Sequence, residues 1–201
     1  INGDGFDDVV VGAPHAEPNG IYSGSSYVVF GKDSGFSAAI DLSTLSGSNG
    51  FCLKNGEAAF DLSGFSASDA GDVNGDGFDD VIVGTSSVDS NDNVSGASYV
   101  MFGKESGFDA AIDLATLNGS NGFRMDGVRS SELGSLVSSA GDVNGDGFAD
   151  VVIGATNVMS ETGRVHLYHG SATGLGTTPA TSLSGPDGVN GRFGISVATA
   201  E

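Results

Sequence analysis

One short sequence, rich in glycine and aspartate, recurs along the chain and limits the folds that the chain can adopt. The segment DVNGDGFDDVIVG at 72–84 returns as DVNGDGFADVVIG at 142–154. A third copy opens the chain at 1–12 and lacks the leading aspartate. Repeats of this kind form supersecondary units that cannot cover their apolar faces without neighbouring units. The sequence therefore predicts an array of stacked repeats.

The stretches between these segments repeat as well. Residues 32–51 return almost unchanged as 104–123, whereas the third unit has a shorter stretch at 170–176. The last residues, 193–201, match 133–141 and stop where the next aspartate would stand. We therefore expect a part of a longer parent chain, with units at about 1–61, 62–132 and 133–192 and the start of another at 193–201.

Short apolar runs bounded by glycine predict β-strands within each unit. In the complete middle unit these runs lie at 64–70, 78–84, 98–103 and 122–126. Four antiparallel strands per unit, covered on both faces by neighbouring units, are typical of propeller blades. The predicted fold class is all-β, with β-propeller blades of four antiparallel strands, and the chain holds about three blade-equivalents of a larger propeller.

The repeated loop places oxygen-bearing side chains at alternate positions of a tight turn. In the middle copy these are Asp72, Asn74 and Asp76 at positions 1, 3 and 5, and a glycine follows at position 6. Side chains spaced in this way converge on one point, and hard oxygen ligands in a flexible loop suit Ca²⁺. The backbone carbonyl of Phe78 at position 7 and the carboxylate of Asp80 at position 9 complete the predicted ligand set.

The other two copies predict one complete and one incomplete calcium site. The third copy offers an equivalent set of ligands, namely Asp142, Asn144, Asp146, Phe148 and Asp150. The first copy has no aspartate at position 1, which leaves Asn2, Asp4, Phe6 and Asp8. Position 8 is aspartate in two copies and alanine in one, so we do not expect it to bind the ion.

Two other interpretations of the loop can be weighed against the calcium site. An EF-hand needs an acidic ligand at position 12 and a helix after it, but position 12 is Val11, Val83 or Ile153 inside an apolar run. The Asn-Gly and Asp-Gly pairs are also the residues of plain hairpin turns between strands. Three copies of the ligand pattern favour the calcium site over plain turns.

The charge of the chain favours cations as ligands. It has 26 acidic and 7 basic residues, a net charge of −19. Such a surface repels the phosphates of nucleic acids and of anionic membranes, so we expect no nucleic acid binding. No apolar run approaches the roughly 18–20 residues of a membrane span, so we expect no membrane insertion. The single cysteine, Cys52, has no second cysteine for a disulfide. His166 and His169 align with aromatic residues of the middle unit, which predicts a packing role for both.

Together these motifs resemble the FG-GAP repeat, which builds the propeller of integrin α subunits and of many large secreted bacterial proteins. Its two name-giving ends match Phe193-Gly194 and Gly12-Ala13-Pro14, and other units depart from them at packing and turn positions. The resemblance implies a calcium loop between the first two strands of a blade and a secreted or cell-surface location. The long insert is similar to that of the bacterial extracellular versions.

Three functions are compatible with the sequence. The first is a non-catalytic, calcium-binding extracellular module for adhesion, whose partner is a protein or a glycan. The second is a carbohydrate- or lipid-binding propeller attached to a secreted enzyme, although the chain has no tryptophan and only four tyrosines for a glycan platform. The third is a calcium-stiffened spacer of a large surface protein. We favour the first.

Overall fold

In a computed structural model the chain folds into three packed β-sheets. The structure describes residues 1–55, 59–87, 95–128, 131–156, 162–186 and 190–198. The described residues contain twelve strands: β1 Val9–Ala13, β2 Ser25–Val29, β3 Gly50–Lys54, β4 Ser63–Gly71, β5 Asp80–Thr85, β6 Ala97–Met101, β7 Ala111–Asp113, β8 Gly122–Asp126, β9 Leu133–Gly141, β10 Asp150–Ala155, β11 Arg164–Tyr168 and β12 Thr181–Ser184. The only helices in these ranges are two short 3-10 turns, Leu42–Thr44 and Leu114–Thr116.

The middle and third sheets have the strand order of a propeller blade. They run β4-β5-β6-β8 and β9-β10-β11-β12, with every neighbouring pair antiparallel. The predicted all-β class and the four strands of the middle unit are therefore confirmed. One boundary differs, since β5 begins at Asp80 and Phe78 lies in the preceding loop.

The first sheet takes its fourth strand from the next unit, which the sequence did not predict. Its order is β1-β2-β3-β7, and β7 comes from the 104–123 insert of the middle unit. β7 pairs parallel to β3, with Cys52 opposite Ala111, and the Cys52 N–H donates to the Ala110 carbonyl over 2.9 Å. The insert therefore links two neighbouring units, and the unit boundaries given above stay a prediction.

Apolar side chains fill the space between consecutive sheets. Val81, Val83 and Tyr99 of the middle sheet are buried against Phe51 and Leu53 of the first. The other face of the middle sheet is buried in the same way against the third, through residues that include Ile82, Val100, Val151 and Ile153. Because alternate residues of a strand point to opposite faces, one run such as Val81–Val83 serves both cores.

A pair of glycines permits the close approach of neighbouring sheets. A Cβ atom on Gly84 would lie 2.9 Å from the carbonyl carbon of Gly134 in the next sheet and closer still to its oxygen. The first and second sheets approach each other in the same way at Gly12 and Gly64, where the corresponding distance is 3.0 Å. Only a residue without a Cβ fits there, which gives a physical reason for glycine at the equivalent positions 12 and 84 of the repeat.

Candidate metal centre

Each complete loop joins the first two strands of a sheet: 72–79 lies between β4 and β5, and 142–149 lies between β9 and β10. The loops turn tightly through glycines, since Gly75 and Gly77 have φ of 76° and 92°. Gly75 also touches the next loop, because a Cβ there would lie 2.5 Å from the Phe148 ring. Two neighbouring loops therefore lie in contact.

The aspartate at position 1 closes each complete loop through its carboxylate. Asp72 Oδ1 accepts from the N–H groups of Gly75 and Asp76 over 2.6 and 3.1 Å, and Oδ2 accepts from that of Gly77 over 2.8 Å. Asp142 makes the same three bonds in its own loop over 2.7, 3.0 and 2.8 Å. These backbone donors, with the Gly147 N–H foremost, hold the pKa of Asp142 below its usual range.

Positions 3 and 5 form one arrangement in all three copies. Asn74 Oδ1 accepts from the Asp76 N–H over 2.9 Å, and its Nδ2 donates to Asp76 Oδ2 over 2.9 Å. Asp76 Oδ1 in turn accepts from the Phe78 N–H over 3.0 Å. The equivalent bonds join Asn144, Asp146 and Phe148, and also Asn2, Asp4 and Phe6. The first loop thus keeps this arrangement without an aspartate at position 1.

The aspartate at position 9 is buried and ties the loop to the third strand of its sheet. Asp80 accepts from the Val73 N–H over 3.1 Å and from the Gly103 N–H over 2.9 Å. Burial raises the pKa of Asp80 to about 7, the two N–H donors oppose that rise, and the nearby Asp76 and Asp72 carboxylates add to it. Three carboxylates therefore interact within one loop.

The other two loops repeat the contacts of position 9 with one difference each. Asp150 accepts from the Val143 and Gly170 N–H groups, both over 2.9 Å. His169 Nδ1 also lies 3.1 Å from its Oδ2, so His169 has a polar neighbour that the sequence did not predict. In the first loop, Asp8 accepts from the Gly31 N–H over 2.9 Å and lies 3.2 Å from the backbone nitrogen of Ile1, the equivalent of Val73.

The described residues do not bring three or more acidic, histidine or cysteine side chains into a ready metal cage. Each loop nevertheless offers only oxygen donors, which is the donor set that Ca²⁺ prefers. A carboxylate oxygen that accepts one N–H bond keeps a second lone pair for a cation. The predicted ligands at positions 1, 3, 5 and 9 thus lie in one loop, while their use as ligands stays a prediction.

A cleft adjoins the loop of the middle unit. It has a volume of about 850 Å³ and is bordered by Asn74 and Asp76 on one side and by Phe108, Asp113 and Asn121 of the insert on the other. A smaller cleft of about 440 Å³ lies at the equivalent place in the first unit. The insert therefore adds a recess with both polar and apolar lining residues to each of the first two loops.

Three packed four-stranded sheets, two of them with the strand order of a blade and each carrying an acidic loop, define a repeat protein of the β-propeller class. The model of the FG-GAP repeat matches residues 1–29, 65–101 and 134–168, which together make up half of the chain. The chain belongs to the FG-GAP repeat family.

Known relatives agree with this assignment. Human integrin alpha-6 is 33% identical over 128 residues, which cover 63% of this chain and 10% of the relative. Human integrin alpha-7 is 31% identical over 190 residues, which cover 94% of this chain and 14% of the relative. Bovine phosphatidylinositol-glycan-specific phospholipase D is 34% identical over 159 residues, which cover 77% of this chain and 17% of the relative. The chain thus spans less than a fifth of the length of each of these relatives.

Within the described ranges, no helix combines the length and apolar character that crossing a membrane requires.

Proposed function

We propose that this chain is a non-catalytic, calcium-binding part of an extracellular FG-GAP propeller that serves adhesion or binds a ligand. The observation that carries the proposal is the identical ordering of the oxygen donors in two complete loops, Asp72–Asp80 and Asp142–Asp150. Plain hairpin turns would not need a carboxylate at position 5 beside those at positions 1 and 9. The integrin alpha chains among the relatives support the adhesion class and the extracellular or cell-surface location.

The proposed ligands are the side chains at positions 1, 3, 5 and 9 and the backbone carbonyl at position 7. In the middle loop these are Asp72, Asn74, Asp76, Asp80 and Phe78, and the third loop supplies Asp142, Asn144, Asp146, Asp150 and Phe148. Burial is the main cause of the raised pKa of Asp80, and the Asp76 and Asp72 carboxylates add to it, so a bound cation would supply positive charge where three carboxylates lie close together. The first loop lacks position 1, so Asn2, Asp4, Phe6 and Asp8 should bind calcium more weakly.

Calorimetric titration with calcium chloride tests this proposal. We expect two ions per chain with dissociation constants on the order of 10⁻⁴–10⁻³ M, the range of extracellular modules. Asp76→Asn replaces the carboxylate of a proposed ligand by a neutral amide, which should weaken the middle site so far that the titration detects one ion. Asp79→Asn removes the same charge from position 8 of the same loop and should leave both ions bound.

Two results would contradict the calcium site. One is the absence of any binding heat or thermal shift when millimolar calcium is added to the wild-type chain. The other is an equal loss of binding in Asp76→Asn and Asp79→Asn, because that would show a general response to charge and no ligand role for Asp76.

A second candidate function is recognition of a glycan or lipid headgroup next to an attached enzyme. Two observations favour it: the phospholipase D among the relatives, and the cleft that Asn74, Asp113 and Asn121 border. A glycan array and flotation with vesicles that contain phosphatidylinositol would test it, and an absence of binding in both would exclude it. The spacer function stays a prediction, to be tested by single-molecule stretching with and without calcium.

A further inference from the structure

The asparagine at position 3 of each complete loop is followed by glycine, as Asn74-Gly75 and as Asn144-Gly145. Asparagine is among the chemically labile residues of proteins. A following glycine makes it more labile still, because no side chain shields the backbone nitrogen between them. In the middle loop Gly75 is exposed and Asn74 is only partly buried, so burial does not keep water from this pair.

The reaction open to such a pair is cyclisation of the asparagine side chain onto the backbone. The nitrogen of Gly75 attacks Cγ of Asn74, so that a new N–Cγ bond forms while the Cγ–Nδ2 bond breaks. The displaced nitrogen leaves as ammonia, with the proton that the Gly75 nitrogen gives up. Water then opens the five-membered imide at either carbonyl carbon and leaves aspartate or isoaspartate in place of the asparagine. The chain takes up one water and releases one ammonia.

Either product would change the loop. Aspartate at position 3 would add a negative charge next to the carboxylates of Asp72 and Asp76. Isoaspartate would add a methylene group to the main chain between positions 3 and 4, which shifts positions 5 to 9 relative to position 1. The bonds from Asp72 to the backbone of Gly75, Asp76 and Gly77 depend on that spacing. A loop of this sequence therefore persists only if the cyclisation is slow.

The carboxylate at position 1 holds the nitrogen that would attack. The Gly75 N–H donates to Asp72 Oδ1 over 2.6 Å, and the Gly145 N–H donates to Asp142 Oδ1 over 2.7 Å. Hydrogen bonds to an ionised acceptor are short and roughly twice as strong as neutral ones. The nitrogen cannot turn toward Cγ of the asparagine until this bond is broken.

The carboxamide that would be attacked is held by position 5. Asn74 Oδ1 accepts from the Asp76 N–H and Asn74 Nδ2 donates to Asp76 Oδ2, both over 2.9 Å. Asn144 makes the same two bonds with Asp146, both over 2.8 Å. Rotation of the carboxamide onto the glycine nitrogen breaks both bonds. The two reacting groups of each pair are thus held by two different aspartates.

We propose that Asp72 and Asp142 protect the neighbouring asparagine from cyclisation by holding the glycine N–H at position 4. This role is separate from the proposed role as calcium ligands, because the bond is made by the protein alone. A hydrogen bond to a charged group contributes enough to slow a reaction that must break it by about 10–100-fold. That factor is the protection expected from position 1.

Peptide mapping by mass spectrometry, after incubation at mildly alkaline pH, tests the proposal. All samples contain EGTA, so that a change in calcium affinity cannot produce a difference between variants. Asp72→Ala should convert Asn74 about 10–100-fold faster than the wild type does, with Asn144 of the same chain unchanged. Asp142→Ala should show the reciprocal result.

A conservative variant separates the hydrogen bond from the charge. Asp72→Asn removes the negative charge but keeps an oxygen that can accept from the Gly75 N–H, so it should retain most of the protection. Asp79→Ala removes a carboxylate from position 8 of the same loop and should match the wild type. The wild-type chain unfolded in urea supplies the unprotected rate for both asparagines.

Three results would overturn the proposal. The first is conversion of Asn74 in Asp72→Ala no faster than in the wild type. The second is equal acceleration at Asn74 and Asn144 in Asp72→Ala, because that would show a general loss of structure. The third is conversion of Asn74 in Asp72→Asn as fast as in Asp72→Ala, because the acceptor oxygen would then have no part in the protection.

Discussion

Replacing Gly84 by alanine tests whether the close approach of neighbouring sheets holds the array together. Gly84 lies in β5 with an ordinary backbone conformation, so the substitution brings no strain in φ. In an open strand it would stabilise the protein by about 0.5–1 kcal/mol, because glycine loses more conformational entropy on folding than alanine does. The contact with the next sheet therefore decides the sign of the effect.

The geometry predicts a net loss of stability. The new Cβ would lie 2.9 Å from the carbonyl carbon and 3.0 Å from the Cα of Gly134, whereas carbon atoms pack best at about 3.5–4.0 Å. The two sheets must separate by at least about 0.5–1 Å, since the Gly134 oxygen would lie closer to the new Cβ than these carbons do, and a gap of that size costs the core contacts about a quarter to a half of their dispersion energy. Overpacked cores typically lose 1–3 kcal/mol, so we expect a loss of about 2–3 kcal/mol.

Urea denaturation followed by circular dichroism measures this loss. Gly176→Ala is the matched control, because a Cβ there would meet its nearest neighbour, the Thr178 carbonyl oxygen, only at 3.6 Å. It should change the free energy of unfolding by no more than about 0.5 kcal/mol. A Gly84→Ala protein as stable as the wild type would show that the sheets do not depend on this approach and would refute the reasoning.

Three further predictions concern the insert, the ion and the thiol. The ring centroids of Phe108 and Phe51 lie 4.8 Å apart, so Phe108→Ala should lower the free energy of unfolding in a urea titration by about 3 kcal/mol. In the same titration Phe36→Ala, at the exposed equivalent position, should lower it by less than about 1 kcal/mol. Chelation with EGTA should lower the melting temperature by about 6–11 °C from its value in about 10 mM calcium, because two sites with dissociation constants near 1 mM contribute about 1.4 kcal/mol each. An unchanged melting temperature would contradict this. Burial raises the pKa of the Cys52 thiol, so the unfolded chain loses this proton at a lower pH than the folded chain does. The free energy of unfolding should therefore fall as the pH rises above about 8.5. Urea denaturation at several pH values should show a smaller fall for Cys52→Ser.

The sequence predicted most of the middle sheet because its signals are local. Runs of apolar residues between glycines identify β4, β5, β6 and β8 to within about two residues. It missed β7, because a three-residue strand has little signal of its own and is formed only by pairing with β3 of the preceding unit. No pattern within the insert indicates which unit it contacts.

The candidate site was predictable in composition but not in all its contacts. The loop bonds of Asp72, Asn74 and Asp76 join residues within five positions of one another, so the motif contains them. The bond from the Gly103 N–H to Asp80 spans 23 positions and depends on how β6 ends. The approach of His169 to Asp150 has the same origin, since both lie where β11 ends beside the loop.

The contact between neighbouring loops follows from the repeat itself. The ring at position 7 of one loop packs on the glycine at position 4 of the loop before it, as Phe148 does on Gly75 and Phe78 on Gly3. Position 7 also supplies the proposed carbonyl ligand, so an ion that orders one loop fixes the base of that ring. The ring in turn limits the movement of the preceding loop, because it packs directly on the backbone at the glycine of that loop. The proposed calcium binding would therefore be coupled to the packing of the sheets, because the loop residue whose carbonyl would hold the ion also contacts the preceding unit through its ring.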